Sequence, residues 1–380
     1  MSSDSSPTSQ PSSPSDLSHV PPAERRPQKI AVIAGDGIGK DVTAEAVKVL
    51  EAAAERFELP FELVHLPWDA DRYLDSGDTL PEGALDDFLR HYAAIFIGAY
   101  GDPRVPDMKH AADILLGIRF GLDLYINFRP VKLYDSRLCP LSGKRPEDVD
   151  FVVFRENTEG AYAGIGGIFK QGTPEEVATQ SDLNTRRGVE RILRASFDYA
   201  VTHGRREVCM VDKSNIMRYA GDLWQRAFAE VAADYPGIET RHLYVDAAAM
   251  QMIRKPESFD VVVTNNMFGD ILTDVGAALQ GGLGLAASAN LHPGRTSMFE
   301  PVHGSAPKYA GTGKANPFGA ILTVALMLEH LGHAEAASAV EEAVKEMIVE
   351  DATTPDVGGS MTTAEVGDGA AERLSAAVVA

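Results

Sequence analysis

The sequence predicts an α/β fold in which a β-sheet is covered by helices on both faces. Short apolar runs such as IAVIAG, AAIFIGA, DFVVF and FDVVVTNN are continuous rather than alternating in polarity. Such strands are typical of a sheet that is buried on both sides. Segments with apolar residues at helical spacing, such as DVTAEAVKVLEAAAERF and RRGVERILRASFDYAVTH, separate these runs. Strands that alternate with helices define the α/β class.

The length and charge of the chain restrict its organisation and its partners. Its 380 residues correspond to about two or three domains of usual size. With 55 acidic and 35 basic residues the net charge is −20, which disfavours nonspecific binding to nucleic acids or anionic membranes. No run of about 18 apolar residues exists, so no membrane span is expected. The two cysteines, Cys139 and Cys209, lie far apart, which fits a reducing, cytoplasmic environment.

The first glycine-rich segment follows the first apolar run. Residues 1–28 before it are dominated by Ser and Pro and predict a disordered tail. The loop GDGIG, residues 35–39, then lies between a predicted strand and a predicted helix, where backbone amides can bind an anion. Position 40 is Lys, so the loop is not the GxGxxG fingerprint of Rossmann folds. A tight turn and a nucleotide contact are both compatible with it.

A second glycine-rich loop, EPVHGSAPKYAGTGKANP, precedes the predicted helix FGAILTVALMLEHL. Long ordered loops ahead of a helix are usually functional. This loop offers His303, Lys308, Lys314 and Asn316 as donors to a phosphate or a ribose. The alternative is an ordinary surface turn.

Three arginines lie near the ends of apolar runs: Arg119, Arg129 and Arg155. A single arginine in such a place is usually ion-paired or reaches solvent. Three within 37 positions suggest convergence on one anion, because the planar guanidinium binds a carboxylate through two parallel hydrogen bonds.

An acidic set predicts a metal site. Asp270 and Asp274 are four positions apart, which places them on one face of a helix, and Asp246 ends the predicted strand LYVD. Three carboxylates without Cys or His favour Mg²⁺ or Mn²⁺ over zinc. The alternative is that Asp270 caps a helix and Asp274 is solvated.

Two further side chains could transfer protons. Lys213 directly follows the apolar strand EVCMVD, where partial desolvation lowers a lysine pKa toward that of a general base. A surface lysine is the commoner alternative. Tyr162 lies seven residues after Arg155, in RENTEGAYAG, and would mean little alone.

Taken together, these segments resemble one family, the β-decarboxylating dehydrogenases that act on 3-isopropylmalate, isocitrate, homoisocitrate or tartrate/D-malate. The motifs GDGIG, RENTEG, DKSN, YVDAAAM, NNMFGDILTD and EPVHGSAP occur in one register from about Lys29 to the C-terminus. The resemblance implies a two-domain fold with a mixed sheet that is not of the Rossmann type. Residues 29–124 plus 282–380 would form the cofactor-binding domain, and residues 125–281 the substrate, metal and dimerisation domain.

The resemblance also implies roles for the matching residues. Arg119, Arg129 and Arg155 would bind the carboxylates of a malate-like substrate. Lys213 would remove the hydroxyl proton and Tyr162 would protonate the enol. The metal ligands would be Asp246, Asp270 and Asp274, of which Asp246 also touches substrate. Because Lys213 and Asp246 reach the site from the second subunit in this family, the active unit would be a homodimer. The cofactor would bind His303, Gly304, Ser305, Ala306, Lys308, Tyr309 and Asn316.

Substrate choice would depend on the segment before Arg119. Isocitrate enzymes place Ser and Asn where this chain has Asp113 and Leu115, and homoisocitrate enzymes place Arg where it has Leu116. Leu115 and Leu116 are suited to an isopropyl group, whose burial is worth about 1.5–3 kcal/mol. The expected reaction is therefore conversion of 3-isopropylmalate to 4-methyl-2-oxopentanoate and CO₂ in leucine biosynthesis. Tartrate or D-malate is the alternative, and isocitrate a more distant one.

The expected cofactor is NAD(P), with a tilt to NADP. Members that use NAD usually carry Asp-Ile after HGSAP, whereas this chain carries Lys308 and Tyr309, the pair seen in NADP-using isocitrate enzymes. A cation there favours a 2′-phosphate. The later stretch TTPDVGGS resembles the NAD type, so relaxed specificity is expected. A noncatalytic regulatory subunit is the alternative of another class, but Lys213, Tyr162 and the three aspartates are all present.

Overall fold

The computed structural model describes residues 27–376 and confirms the predicted α/β class. The strands are β1 (Gln28–Gly35), β2 (Phe61–His65), β3 (Ala94–Ala99), β4 (Ile126–Lys132), β5 (Asp150–Glu156), β6 (Gly166–Phe169), β7 (Val177–Gln180), β8 (Glu207–Asp212), β9 (Glu239–Tyr244), β10 (Val261–Thr264), β11 (Ala287–Leu291) and β12 (Ser297–Pro301). The helices are α1 (Ile38–Arg56), α2 (Ala70–Ser76), α3 (Ala84–His91), α4 (Lys109–Gly121), α5 (Arg186–Thr202), α6 (Arg218–Ala232), α7 (Val245–Arg254), α8 (Asn266–Leu279), α9 (Phe318–His330), α10 (Ala334–Val349) and α11 (Thr363–Ala376).

Ten strands form one mixed sheet in the order β2-β1-β3-β12-β11-β4-β5-β10-β8-β9. The strands β2, β1, β3 and β12 are mutually parallel, as are β5, β10, β8 and β9. The two blocks are joined through β11 and β4, which pair in antiparallel fashion with each other and with their outer neighbours. Strands from residues 28–99 and 287–301 thus occupy one half of the sheet, and strands from residues 126–264 the other. The predicted division into two domains follows the same line and stays a prediction.

The sheet is covered on both faces, as the continuous apolar runs indicate. In β1, Ile30 and Val32 belong to one hydrophobic cluster, whereas Ala31 and Ile33 belong to another. Successive strand residues point to opposite faces, so each strand contributes to two cores at once. This requirement explains why these strands read as unbroken apolar sequence.

The GDGIG loop is a tight turn between β1 and α1. The amides of Asp36, Ile38 and Gly39 donate to the carbonyls of Ala99, Ser305 and Asp36 itself. These three amides therefore already donate hydrogen bonds within the protein and are not free to bind an anion. A Cβ atom on Gly37, whose φ is +54°, would lie 2.2 Å from the carbonyl oxygen of Ser305, so only glycine permits this approach.

Three details differ from the sequence expectations or extend them. Strand β1 begins at Gln28, whose amide donates to Pro60, so ordered structure starts within the region predicted to be tail; residues 1–26 lie outside the described chain. Asp246 does not end a strand, because β9 ends at Tyr244 and Asp246 lies in the first turn of α7. The β6–β7 hairpin forms a separate exposed two-stranded sheet that the sequence did not reveal.

Between residues 27 and 376, no helix combines the length and the apolarity that crossing a membrane requires. Cytoplasmic localisation stays a prediction.

Candidate active site

Arg129 and Arg155 lie on neighbouring strands and point to the same face of the sheet. The two strands pair in antiparallel fashion, with Arg129 opposite Val153 and Arg155 opposite Asn127. The two arginines are therefore offset by two residues along the ladder, which keeps them on one face. Both side chains meet helix α8, which crosses that face: Arg129 Nη1 donates to Thr273 Oγ1 at 2.6 Å, and Arg155 Nη1 donates to an Asp270 oxygen at 2.5 Å. Strand periodicity therefore brings together two of the three predicted arginines.

Arg155 is held rigidly in a buried position. Its side chain is 2% exposed, and its Nε and Nη2 both donate to Oδ1 of Asn266, at 3.0 and 2.7 Å. The helix approaches so closely that a Cβ on Gly269 would lie 2.5 Å from Cγ of Arg155. Gly269 is thus required for the contact between strand and helix. The sequence analysis missed Asn266, although its place in NNMFGD next to the acidic set was a usable signal.

Arg119 reaches the same place from helix α4. Its Nη2 lies 3.6 Å from Oε1 of Glu300, and its side chain is buried. Burial, followed by repulsion from Arg129, lowers the pKa of Arg155 to about 10, and Arg119 contributes in the same direction. Burial is also the main cause that lowers the pKa of Arg129. The three guanidinium groups are therefore close enough for their charges to repel one another, which makes the site attractive to an anion.

Two donors in this cluster have no partner within the described chain. The buried Nε groups of Arg119 and Arg129 make no hydrogen bond there. A buried donor without a partner costs about 1–3 kcal/mol, which a bound carboxylate would recover. The cluster thus has the positive charge and the unpaired donors that an anionic ligand would need.

Asp270 lies at the centre of the cluster and is not a helix cap. Helix α8 begins at Asn266 and is capped by Asn265, whose side chain accepts from the amide of Phe268. Burial opposes ionisation of Asp270, but the charge of Arg155, the hydrogen bond from Tyr162 and the charge of Arg129 outweigh it and lower the pKa. Asp274 follows one turn later and is exposed. Carboxylates four positions apart on one helix face are suitable ligands for Mg²⁺ or Mn²⁺.

Tyr162 joins the cluster from a short 3₁₀ turn at residues 161–163. Its hydroxyl donates to the second carboxylate oxygen of Asp270 at 2.8 Å, and the guanidinium carbon of Arg155 lies 5.2 Å from its ring centroid. Burial, with the hydrogen bond to Asp270, raises the pKa of Tyr162. The phenol is therefore protonated at neutral pH and can act as an acid.

Lys213 and Asp246 form a separate pair. Lys213 Nζ lies 2.6 Å from Oδ1 of Asp246, and this bond lowers the pKa of the carboxyl group. The Asp246 side chain is 69% exposed. Among residues 27–376 no three His, Cys, Asp or Glu side chains lie close enough together to hold a metal ion. One chain thus does not unite Asp246 with Asp270 and Asp274.

The predicted cofactor loop, residues 302–316, packs directly on the turns that follow β1 and β3. Ser305 is buried, and its carbonyl oxygen accepts from the amide of Ile38. Ala306 adopts a left-handed conformation with φ of +35°. Gly304 is exposed beside His303, whose Nδ1 contacts the Gly304 carbonyl at 3.1 Å.

Within the loop, some predicted donors are free for a ligand and others are not. Burial lowers the pKa of His303, and its buried Nε2 finds no partner within the described chain. Lys308 is exposed above the ring of Tyr309, with Nζ 4.7 Å from the centroid. Asn316, by contrast, accepts from the amide of Phe318 at the start of α9 and donates to Asp356.

The residues proposed for substrate selection lie on α4. Leu115 and Leu116 are both half-buried, one turn before Arg119 on the same side of the helix. The carboxylate of Asp113 is bound to Lys109 at 2.6 Å. The helix therefore presents apolar side chains and one guanidinium to the site, with the charge of Asp113 partly neutralised.

Comparisons with known proteins agree with this geometry. Residues 29–370 match the family model described as isocitrate/isopropylmalate dehydrogenase. A 3-isopropylmalate dehydrogenase of Thermobifida fusca is 49% identical over 92% of this chain and 98% of its own. One of Corynebacterium jeikeium is 49% identical over 90% of this chain and 98% of its own. Among solved structures, an isocitrate dehydrogenase from Methylococcus capsulatus superposes with a TM-score of 0.81 at 38% identity, over 92% of this chain and 99% of that chain.

Proposed function

The chain belongs to the isocitrate/isopropylmalate dehydrogenase family, and from this premise we propose that it oxidatively decarboxylates 3-isopropylmalate to 4-methyl-2-oxopentanoate and CO₂ with NAD(P) and a divalent metal. The observation that carries the proposal is the cluster of Arg119, Arg129 and Arg155 around Asp270, beside two leucines on α4. The names of the relatives support the leucine-biosynthetic reaction.

The arginines bind and orient the substrate. Three buried or half-buried guanidinium groups supply more positive charge than Asp270 and Glu300 neutralise. A malate-type dicarboxylate would be attracted to this excess and could complete the hydrogen bonds of the two unpaired Nε groups. Fixed in this way, the substrate presents its carbinol hydrogen in one direction, which lowers the entropic barrier to transfer.

The metal proposal rests on the chemistry of the donors. Asp270 is ionised, Asp274 is exposed on the same helix face, and both offer only oxygen. When bound, Mg²⁺ or Mn²⁺ would stabilise negative charge on substrate oxygens, a contribution of several kcal/mol. Asp246 would supply the third carboxylate from the partner subunit.

Two groups would move protons. Lys213, whose partner within the chain is the Asp246 carboxylate, would accept the proton of the substrate hydroxyl. When bound, the nicotinamide would supply the acceptor for the hydride of the carbinol carbon. After CO₂ leaves, Tyr162 would donate its proton to the enolate carbon, and the charge of Arg155 beside its ring, which acts to lower the pKa of Tyr162, would favour the phenolate left behind.

A homodimer would account for the exposure of Asp246. Large apolar side chains in the same segments reach solvent, including Ile216 at 71% and Tyr219 at 96% exposure. Phe169 in the β6–β7 hairpin is 65% exposed. Exposed apolar side chains that are grouped in one segment favour a protein–protein contact there. We infer that a second copy covers them and places its own Lys213 and Asp246 beside the first copy's Asp270.

For the cofactor we propose relaxed specificity, in which both NAD and NADP are used and NADP is preferred. Lys308 is exposed and so could bind a 2′-phosphate of the cofactor. The unpaired Nε2 of His303 could form a hydrogen bond with the adenosine half of the cofactor. Asn316 already bonds to Asp356 in the stretch that resembles NAD-using enzymes. Lys308 is therefore the cation that we propose for the extra phosphate.

The test is a matrix of 3-isopropylmalate, isocitrate, D-malate and tartrate, each assayed with NAD and with NADP. The proposal expects the highest kcat/KM for 3-isopropylmalate with either nicotinamide, because Leu115 and Leu116 offer only apolar contact. Preference for D-malate or tartrate would establish the alternative substrate class. Turnover of isocitrate alone, or of none of the four acids, would refute the proposal.

A further inference from the structure

The structure contains a buried histidine–aspartate link that no role above uses. Nε2 of His110 lies 2.7 Å from Oδ2 of Asp36, and the two side chains are 0% and 3% exposed. His110 belongs to the first turn of α4, the helix that carries Leu115, Leu116 and Arg119. Asp36 belongs to the turn between β1 and α1.

Asp36 also organises the backbone beneath the cofactor loop. Its Oδ1 accepts from the amide of Ala70 at 2.7 Å, and its Oδ2 accepts from the amide of Gly101 at 2.9 Å. The turn that contains Asp36 and the turn at Gly101 both touch Ser305. The amide next to Gly37, that of Ile38, donates to the Ser305 carbonyl, and a Cβ on Gly101 would lie 2.8 Å from Ser305 Oγ.

Oδ1 of Asp107 accepts from the Lys109 amide at 3.1 Å, a local bond, and His110 adds a long-range one at the start of helix α4. The residue before it, Met108, has a φ of +54° and makes no side-chain capping bond. Asn, Asp, Ser or Thr usually supplies that bond. His110 attaches the helix to a distant part of the chain, and the rings of Tyr73 and Tyr100 pack against it with centroids 5.7 and 5.9 Å away.

We propose that His110 is a positioning residue that, through Asp36, fixes the substrate-selecting helix α4 relative to the cofactor loop. The hydrogen bond, rather than the packing of the ring, sets where Leu115 and Arg119 stand when cofactor is bound. Substrate affinity and cofactor binding are then coupled through one buried carboxylate. The inference rests on the proposed function for the identity of the substrate.

Two variants separate the hydrogen bond from the packing. His110→Gln keeps an N–H donor at nearly the same reach but loses the ring, whereas His110→Phe keeps a ring but loses the donor. Steady-state kinetics of each, with His330→Leu on α9 as a control for loss of an imidazole elsewhere, would be measured well below the melting temperature. We expect His110→Phe to raise the KM for 3-isopropylmalate roughly tenfold. This factor corresponds to the lower end of the free-energy range for loss of a hydrogen bond to a charged group. We expect His110→Gln to stay within about twofold of the native KM, even if it is less thermostable, because its donor still reaches Asp36.

A second readout follows binding without turnover. In the native protein, the Kd of 3-isopropylmalate with Mg²⁺, measured calorimetrically, should tighten when reduced nicotinamide cofactor is present, and His110→Phe should lose most of that tightening. If His110→Phe fails to fold, His110→Asn replaces it, since its shorter side chain cannot reach Asp36. Native KM in His110→Phe, or a defect in His110→Gln as large as that in His110→Phe, would overturn the proposal. Failure of the proposed function itself would show as lack of turnover in the native enzyme, before any variant is compared.

Discussion

Replacing Asp270 by Asn tests the centre of the site, because one carboxylate there serves the arginines, Tyr162 and the proposed metal. Asn keeps the shape and one acceptor oxygen but removes the charge that lies 2.5 Å from Arg155 and 3.7 Å from Arg129. A metal that stabilises the developing charge contributes several kcal/mol, so loss of one of its ligands should lower kcat at least about 100-fold, or about 2.7 kcal/mol.

The same substitution has a predictable effect on stability. Breaking a fully buried ion pair costs about 3–5 kcal/mol, but the Asp270 side chain is 42% exposed, so solvent screening reduces the loss to about 1–2 kcal/mol. Because the pKa of Asp270 is lowered from 3.8 in the folded protein, its contribution is present above that pH and is lost as the pH falls through the folded value. The stability difference between native and Asp270→Asn protein should therefore vanish at low pH.

The assays are steady-state kinetics with varied Mg²⁺ and thermal unfolding between pH 3 and 7. Asp368→Asn is the matched control, since that exposed carboxylate bonds a lysine at 2.5 Å outside the site. It should leave kcat and the Mg²⁺ requirement unchanged. Asp270→Asn should also bind a dicarboxylate without metal at least as tightly as the native enzyme, because the arginine cluster gains net positive charge. A kcat within about threefold of native would refute this account of Asp270.

Other substitutions and one chemical probe address the remaining groups. Tyr162→Phe should lower kcat about 100- to 1000-fold with little change in KM, as expected for loss of a general acid, and an unchanged kcat would remove Tyr162 from the mechanism. Lys308→Asp should shift kcat/KM at least about tenfold toward NAD, because the variant replaces a cation with a ribose-hydroxyl acceptor; a strong native preference for NAD would contradict the tilt. Burial raises the pKa of Cys209 to about 12, so its thiol should react with iodoacetamide at pH 8 only after unfolding, and rapid labelling of the native protein would show that the strand is not buried as described.

Much of the site could be predicted because its residues follow local periodicity. Arg129 and Arg155 lie on apolar strands with a period of two, and Asp270 and Asp274 lie on a helix with a period near four. Those rules determine the face on which each side chain lies before any tertiary contact is known. The apolar continuity of β1 and β5 likewise predicts burial on both faces of the sheet.

The rest depends on contacts between distant segments, which no local pattern encodes. Asn266 and Thr273 bind the arginines across a strand–helix interface, and His110 meets Asp36 over 74 positions of sequence. Asp246 was assigned to a strand end because LYVD reads as one apolar run, yet α7 begins at Val245. The GDGIG loop could have bound an anion by its local geometry, and only its hydrogen bonds to Ala99 and Ser305 show that it is a turn.

The most direct test of the central claim is to follow reduced nicotinamide and 4-methyl-2-oxopentanoate together during turnover of 3-isopropylmalate, before and after chelation of divalent metal. The account predicts equal amounts of the two products, loss of both after chelation, and recovery with added Mg²⁺ or Mn²⁺. Full turnover in the chelated enzyme, or reduced nicotinamide without the decarboxylated keto acid, would contradict it.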